Sequence, residues 1–202
     1  MALRRRDQGR IQKSTVLIVC EGQLETRYFH LLKSHPQFRM DIRLEVHCAD
    51  GGKHAKVLEL AIGKARRSRF DRVWCVFDTE GEAEHPAVKS TVDKCKKKGF
   101  KVALSNPCFN VWILAHLNQW PDRPLKPDES RRTMREACGS DPAKLDDCRF
   151  RQRIFGGDAF PNLCTAQQKA RPLSIDSMDA FLNNNPATNL RELINFLLQT
   201  GN

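Results

Sequence analysis

Three acids have the types and spacing to do chemistry. Glu21 closes the apolar run "TVLIVC", Asp78 closes "RVWCVF", and Glu80 follows two residues later. Asp78-Thr79-Glu80 has D-x-E spacing, so in an extended segment both carboxylates project to the same side. Three carboxylates at one sheet edge repel each other unless a cation joins them. A hard divalent ion, Mg²⁺ or Mn²⁺, relieves that repulsion, and Mg²⁺ is typically held by one or two carboxylates plus waters and phosphate oxygens. Metal and acid together make the chemistry of phosphodiester cleavage. Acids after apolar strands also serve as caps and favourable first-turn charges. Glu25, in the first turn of the helix that Gly22 admits, is most simply read that way.

These acids need elements to position them. "TVLIVC" is a continuous β-branched run, the pattern of a strand covered on both faces. Leu24, Tyr28, Leu31 and Leu32 then share a helix face. "IRLEVHC" reads as a second strand, and "ADGG" as a turn before a second amphipathic helix through Val57, Leu58, Ala61, Ile62 and Ala65. "RVWCVFD" is a third strand, "AVKSTVDKCKKKG" a helix ended by Gly99, and "FKVALS" a fourth strand. In "SNPCFNVWILAHL", Asn106 is placed to cap a helix with Pro107 at its first position, although the dense apolar run leaves a strand open. Alternating strands and helices predict an α/β fold with a mainly parallel, four-stranded central sheet flanked by helices over 14–118. Residues 1–13 read as a basic arm. Residues 119–202, after the linker "PDRPLKPD", read as a helical C-terminal extension with helices near 129–138, 159–171 and 188–200.

In open α/β sheets ligands bind beyond the carboxyl ends of the strands, where Glu21, Asp78 and Glu80 fall. Asn106 would stand at the same edge, either in the site or as a cap. Lys53 and His54 follow a turn that could present N–H groups to phosphate, or simply start a helix. His116 and the tryptophans read as core residues. The eight cysteines form no C-x-x-C pair and read as reduced, partly buried thiols rather than metal knuckles.

A formal net charge of +10 and a pI near 9.4 suit a polyanionic partner, with nucleic acid the commonest. Arg4, Arg5, Arg6, Arg10 and Lys13 form the basic arm, and Arg131, Arg132 and Arg135 lead a later cluster that extends through Arg149, Arg151 and Arg153. No apolar run approaches the roughly 18 residues of a membrane span, and no secretory core follows the basic start. A cytoplasmic protein without membrane contact is expected.

"IVCEGQLETRYF", "VFDTEGE" and "SNPCFNVWILAHL", followed late by "NPATNLREL", resemble the RloB family of the Toprim-like clan, from about residue 14 onward. The resemblance implies a compact Toprim-like α/β domain and a nuclease of bacterial anti-phage defence, often partnered by an AAA-type ATPase. It implies Glu21 as general acid or base and Asp78 and Glu80 as Mg²⁺ ligands, acting on DNA or RNA. Two positions depart from the family pattern. Glu80 stands where a second aspartate is usual, and Asn110 stands after "SNPCF" where an acid is usual. Asn110 could still coordinate through its amide oxygen, without the charge. The departures keep open a second reading, a catalytically degenerate module that binds nucleic acid or its ATPase partner.

Overall fold

In the computed structural model, which describes residues 13–170 and 173–198, the first apolar run forms β1 (Ser14–Cys20), followed by α1 (Gln23–Leu32) and β2 (Ile42–Cys48). Next come α2 (Lys53–Arg67), β3 (Arg72–Asp78), α3 (His85–Lys97) and β4 (Lys101–Asn106). The rest of the chain supplies α4 (Asn110–His116), α5 (Pro127–Cys138), α6 (Asp147–Phe150), α7 (Pro161–Lys169), α8 (Met178–Leu182), β5 (Ala187–Thr188) and α9 (Leu190–Leu197). A π-helical turn over Arg151–Phe155 follows α6 directly. The arm residues Arg4, Arg5, Arg6 and Arg10 lie outside the described residues.

The sheet runs in the order β2-β1-β3-β4-β5, with the first four strands parallel and β5 antiparallel. The expectation of four strands is therefore corrected to five. The stretch read as purely helical contributes the fifth, where Thr188 pairs with Ser105 and Ala187 with Asn106. Two residues of strand carry too little periodicity to stand out from the helix that follows.

Side-chain alternation along β1 divides the core. Val16, Ile18 and Cys20 face α1, α4, α7 and α9, while Leu17 and Val19 face α2, α3 and α8. Both faces are covered, which is why "VLIVC" is apolar without a break. All seven residues of α4 are buried, matching the density of "NVWILAH". His116 is a core residue, as its place on that helix suggests: its Nε2 lies 3.1 Å from the Tyr28 hydroxyl, and burial lowers its pKa to about 3. Trp74 and Trp112 are core residues too, and all eight cysteines are free thiols. Among the described residues no helix is long and apolar enough to cross a membrane.

The crossover through α1 lies on one face of the sheet and the crossover through α2 on the other. The chain leaves β1 through α1 toward β2 and leaves β3 through α3 toward β4, with α1 and α3 on opposite faces, so the switch in strand order falls between β1 and β3, the place where such sheets bind ligands. Glu21 and Asp78 stand on the two strands that flank this switch point.

Candidate active site at the carboxyl edge of the sheet

The parallel register of β1 and β3 continues one residue past β1, where the Glu21 N–H donates to the Val76 carbonyl at 3.0 Å. The Glu21 side chain then turns across the strand gap, and its Oε2 accepts from the Asp78 N–H at 3.1 Å. Asp78 in turn reaches forward: its Oδ1 accepts from the Phe109 N–H at 2.9 Å, at the entry to α4. A negative group at a helix N-terminus is favourably placed. The geometry thus fixes Glu21 and Asp78 as neighbours, each tied to main chain.

Glu25 is the third member. It lies in the first turn of α1, as its position suggests, and Gly22 has ordinary extended backbone there (φ −128°). A Cβ on Gly22 would stand 2.8 Å from Glu25 Oε2, so the missing side chain is what lets this carboxylate fold back. The first-turn reading alone is incomplete, however, because Glu25 is only 6% exposed and packs beside Glu21. Burial first, and the Glu21 charge after it, raise its pKa from 4.5 to about 7. Burial likewise raises Glu21. Burial, then the charges of Glu25 and Glu21, raise Asp78 well above the usual carboxylate range. Burial is the largest cause for all three, and the Glu21 charge adds to it at both Glu25 and Asp78, a perturbed cluster of the kind that gathers at functional sites.

Glu80 sits differently from the expectation. β3 stops at Asp78, and Glu80 is exposed with left-handed backbone (φ 55°), so the D-x-E pair does not project from one extended segment. The intervening Thr79 is fully buried, its hydroxyl donating to Asn106 Oδ1 at 2.9 Å, while the Glu80 N–H donates to the Pro107 carbonyl at 2.8 Å. These bonds bend the chain. A non-glycine residue in that region costs about 1–2 kcal/mol, a strain that clusters at functional sites. The Glu80 charge still reaches Glu21 and Asp78, raising both.

Asn106 does not cap a helix. It is the last residue of β4, and the helix begins later, at Asn110. Its Nδ2 donates to the Leu182 and Asn184 carbonyls at 3.0 and 2.7 Å, while Oδ1 accepts from Thr79. That fully engaged amide ties the site to the C-terminal segment. Asn110 is 8% exposed, one residue from the Asp78–Phe109 bond, and its Nδ2 donates to Cys108 Sγ at 3.3 Å.

Beside Glu80 and Asn106 opens a cleft of about 1250 Å³, whose lining also includes Arg123, Lys126 and Arg132. Among the described basic residues that the sequence suggests for nucleic acid, only Arg132 lines it. Lys53 pairs with Glu84 at 2.7 Å, Arg131 with Asp128 at 3.4 Å, Arg132 with Glu136 at 4.0 Å and Arg135 with Asp141 at 2.9 Å. Such exposed pairs are weak and exchange readily for phosphate. His54 is buried against Phe77 and belongs to the core below the turn.

Among the described residues no three His, Cys, Asp or Glu side chains form a ready-made cage for a metal ion. Mg²⁺ does not require one, since it keeps several waters and takes one or two carboxylates. The donor chemistry fits. Glu21, Glu25 and Asp78 are oxygen donors with raised pKa values, and the one cation felt by Glu21 is Lys53, itself paired with Glu84.

A family model described as RloB-like protein matches residues 16–197, nearly the whole chain. No curated protein and no solved structure matches.

Proposed function

We propose that this chain, which belongs to the RloB-like family, is a Mg²⁺- or Mn²⁺-dependent phosphodiesterase of the Toprim-like kind, cleaving DNA or RNA in bacterial anti-phage defence. The observation that carries the reading is the placing of Glu21, Asp78 and the buried Glu25 together at the carboxyl ends of β1 and β3, with Glu21 bonded to the Asp78 N–H and Asp78 to the entry of α4. Acids gathered where a ligand would bind, without a buried cation, are disposed to gain a divalent one.

In this reading Asp78 and Glu80 hold the metal, with Glu25 as a reserve carboxylate and Asn110 as a neutral oxygen donor. When bound, Mg²⁺ supplies Lewis-acid stabilisation of charge on the phosphoryl oxygens. Glu21 is the acid–base group. Its raised pKa brings it nearer neutrality, where it can take a proton from attacking water or give one to the leaving oxygen. Its bond from the Asp78 N–H fixes one oxygen and leaves the other for that transfer. Arg123, Lys126 and Arg132 in the cleft receive the flanking phosphates. An AAA-type ATPase is the proposed partner.

Purified protein incubated with mixed DNA and RNA, with Mg²⁺, Mn²⁺ or EDTA, tests this. Metal-dependent cleavage should vanish in Glu21→Gln and Asp78→Asn. The same assay repeated with the partner ATPase and nucleotide covers an activation requirement. Cleavage that survives both substitutions refutes the site.

The left-handed turn at Glu80 and the neutral Asn110 favour one alternative, a degenerate Toprim-like module that binds nucleic acid or the ATPase without cutting. Metal-independent binding with no cleavage under any of these conditions would support it.

A further inference from the structure

The chain's positive charge is concentrated far from the acids. Residues 64–72, "KARRSRFDR", hold five basic residues and one acid, and residues 93–101, "DKCKKKGFK", do the same. Each segment is net +4, so the two account for +8 of the formal +10. They meet in space. The first runs from the end of α2 into the start of β3, the second from the end of α3 into the start of β4, with β3 and β4 adjacent in the sheet. Both helices cover the same face. The result is one basic pole at the amino ends of the strands, about 20 Å along β3 from Asp78 at a strand rise of about 3.3 Å per residue.

Basic residues are favourable at helix C-termini, where they complement the macrodipole. That accounts for Lys64, Arg66 and Arg67 in the last turn of α2 and for Lys94, Lys96 and Lys97 in that of α3. It leaves Arg69, Arg72, Lys98 and Lys101, which lie past the helices and are exposed. Local acids neutralise the pole only in part. Asp71 is exposed but engaged by β1, accepting from the Thr15 N–H at 2.7 Å and the Thr15 hydroxyl at 3.0 Å. Lys96 and Lys101 face Asp176 and Glu192 at 3.8 and 3.7 Å. Among the described residues no ion pair engages Arg66, Arg67, Arg69, Lys94, Lys97 or Lys98.

We infer that this pole is a second nucleic-acid surface, one that grips the phosphate backbone of a duplex without reading its sequence. A basic surface alone holds anionic lipid only loosely, and stable lipid or protein docking adds apolar anchors beside the charge. Among the described residues the one large exposed hydrophobic side chain is Met40, next to β2 and two strands from β3. Single strands are gripped by stacking on exposed aromatics, which the pole lacks; Phe70 and Phe100 are half-buried and packed on the core. What remains is point charge, the means by which backbone phosphate is bound. The surface stands apart from the acid edge and does not depend on that edge being catalytic.

The test is fluorescence anisotropy with labelled 24-base-pair DNA and RNA duplexes in EDTA, from 50 to 200 mM NaCl, so that cleavage plays no part. Two variants, Arg66→Gln/Arg67→Gln/Arg69→Gln and Lys94→Gln/Lys97→Gln/Lys98→Gln, alter exposed side chains, and their folding is checked by thermal melts. Each should bind duplex at least tenfold more weakly than wild type. Each should also show a shallower dependence of log affinity on log salt, by about 0.9 for every phosphate that the variant no longer neutralises. The DNA and RNA arms say which duplex is preferred. Wild-type-like binding in both folded variants overturns the proposal, as does loss confined to Arg131→Gln/Arg132→Gln/Arg135→Gln. Preference for polyglutamate or for anionic phosphatidylserine vesicles over either duplex overturns it in favour of an acidic protein or a membrane.

Discussion

Glu21 Oε2 accepts the main-chain N–H of Asp78 at 3.1 Å, so one proposed chemical group holds the backbone of another. Structure and chemistry can be separated at this bond. Glu21→Gln keeps an acceptor oxygen and should melt near wild type, whereas Glu21→Ala leaves the half-buried N–H unpaired and should cost about 1–2 kcal/mol in urea unfolding. Both should abolish metal-dependent cleavage. Equal stability of the two variants would deny the bond a structural role.

Glu25 makes stability depend on pH in an unusual direction. The unfolded chain releases this proton near 4.5, while the folded chain keeps it to about 7. The folded state binds more protons across that window, so stability falls as pH rises through it. In EDTA at pH 8, Glu25→Gln should be the more stable protein, by up to about 3 kcal/mol. The gap should close below pH 4.5. Added Mg²⁺ should narrow it at pH 8 by favouring the wild-type carboxylate. A gap independent of pH would assign the effect to packing.

Asn110 offers a gain of function. Asn110→Asp adds an acid one residue from the Asp78–Phe109 bond. Mn²⁺ affinity by calorimetry should rise about tenfold at pH 8, with the gain falling as the medium is acidified because the ligands must lose protons to bind. Unchanged affinity would place residue 110 outside the metal's reach.

Asn106 donates to two carbonyls and accepts one hydroxyl. Asn106→Ala should cost about 2–4 kcal/mol by leaving these buried partners unpaired. Asn106→Asp should cost more, since its second oxygen would face the Leu182 and Asn184 carbonyls. Hydrogen exchange should show faster opening of residues 182–188 in both. A milder aspartate would mean that the amide is not held as described.

Strands β1, β3 and β4 are legible in the sequence because parallel strands covered on both faces are near-continuously apolar, β2 is legible by its alternation, and the acids that close β1 and β3 mark the ligand edge of such a sheet. Glu21 and Asp78 follow from that rule. Glu25 is only half legible, because burial depends on what packs against its helix. The turn at Glu80 is hidden, since it is set by hydrogen bonds that Thr79 and Glu80 donate to Asn106 and Pro107, at the end of a neighbouring strand. β5 is hidden for a similar reason: "NPATNL" has no strand periodicity, and its partners lie about eighty residues earlier in the chain. The basic pole is open to a count of charge per segment.

The last row of the sheet has a consequence outside catalysis. Beside β4, Asn189 acts like one more strand residue: its Oδ1 accepts from the Leu104 N–H and its Nδ2 donates to the Val102 carbonyl at 3.0 Å. The Thr188 hydroxyl donates to the Leu104 carbonyl at 2.9 Å. With only two residues of β5, two side chains complete the pairing of an open strand margin that would otherwise be a template for another chain. The late asparagine-rich motif therefore closes the β4 margin with side chains where strand runs out, and leaves β2 as the sheet's long edge.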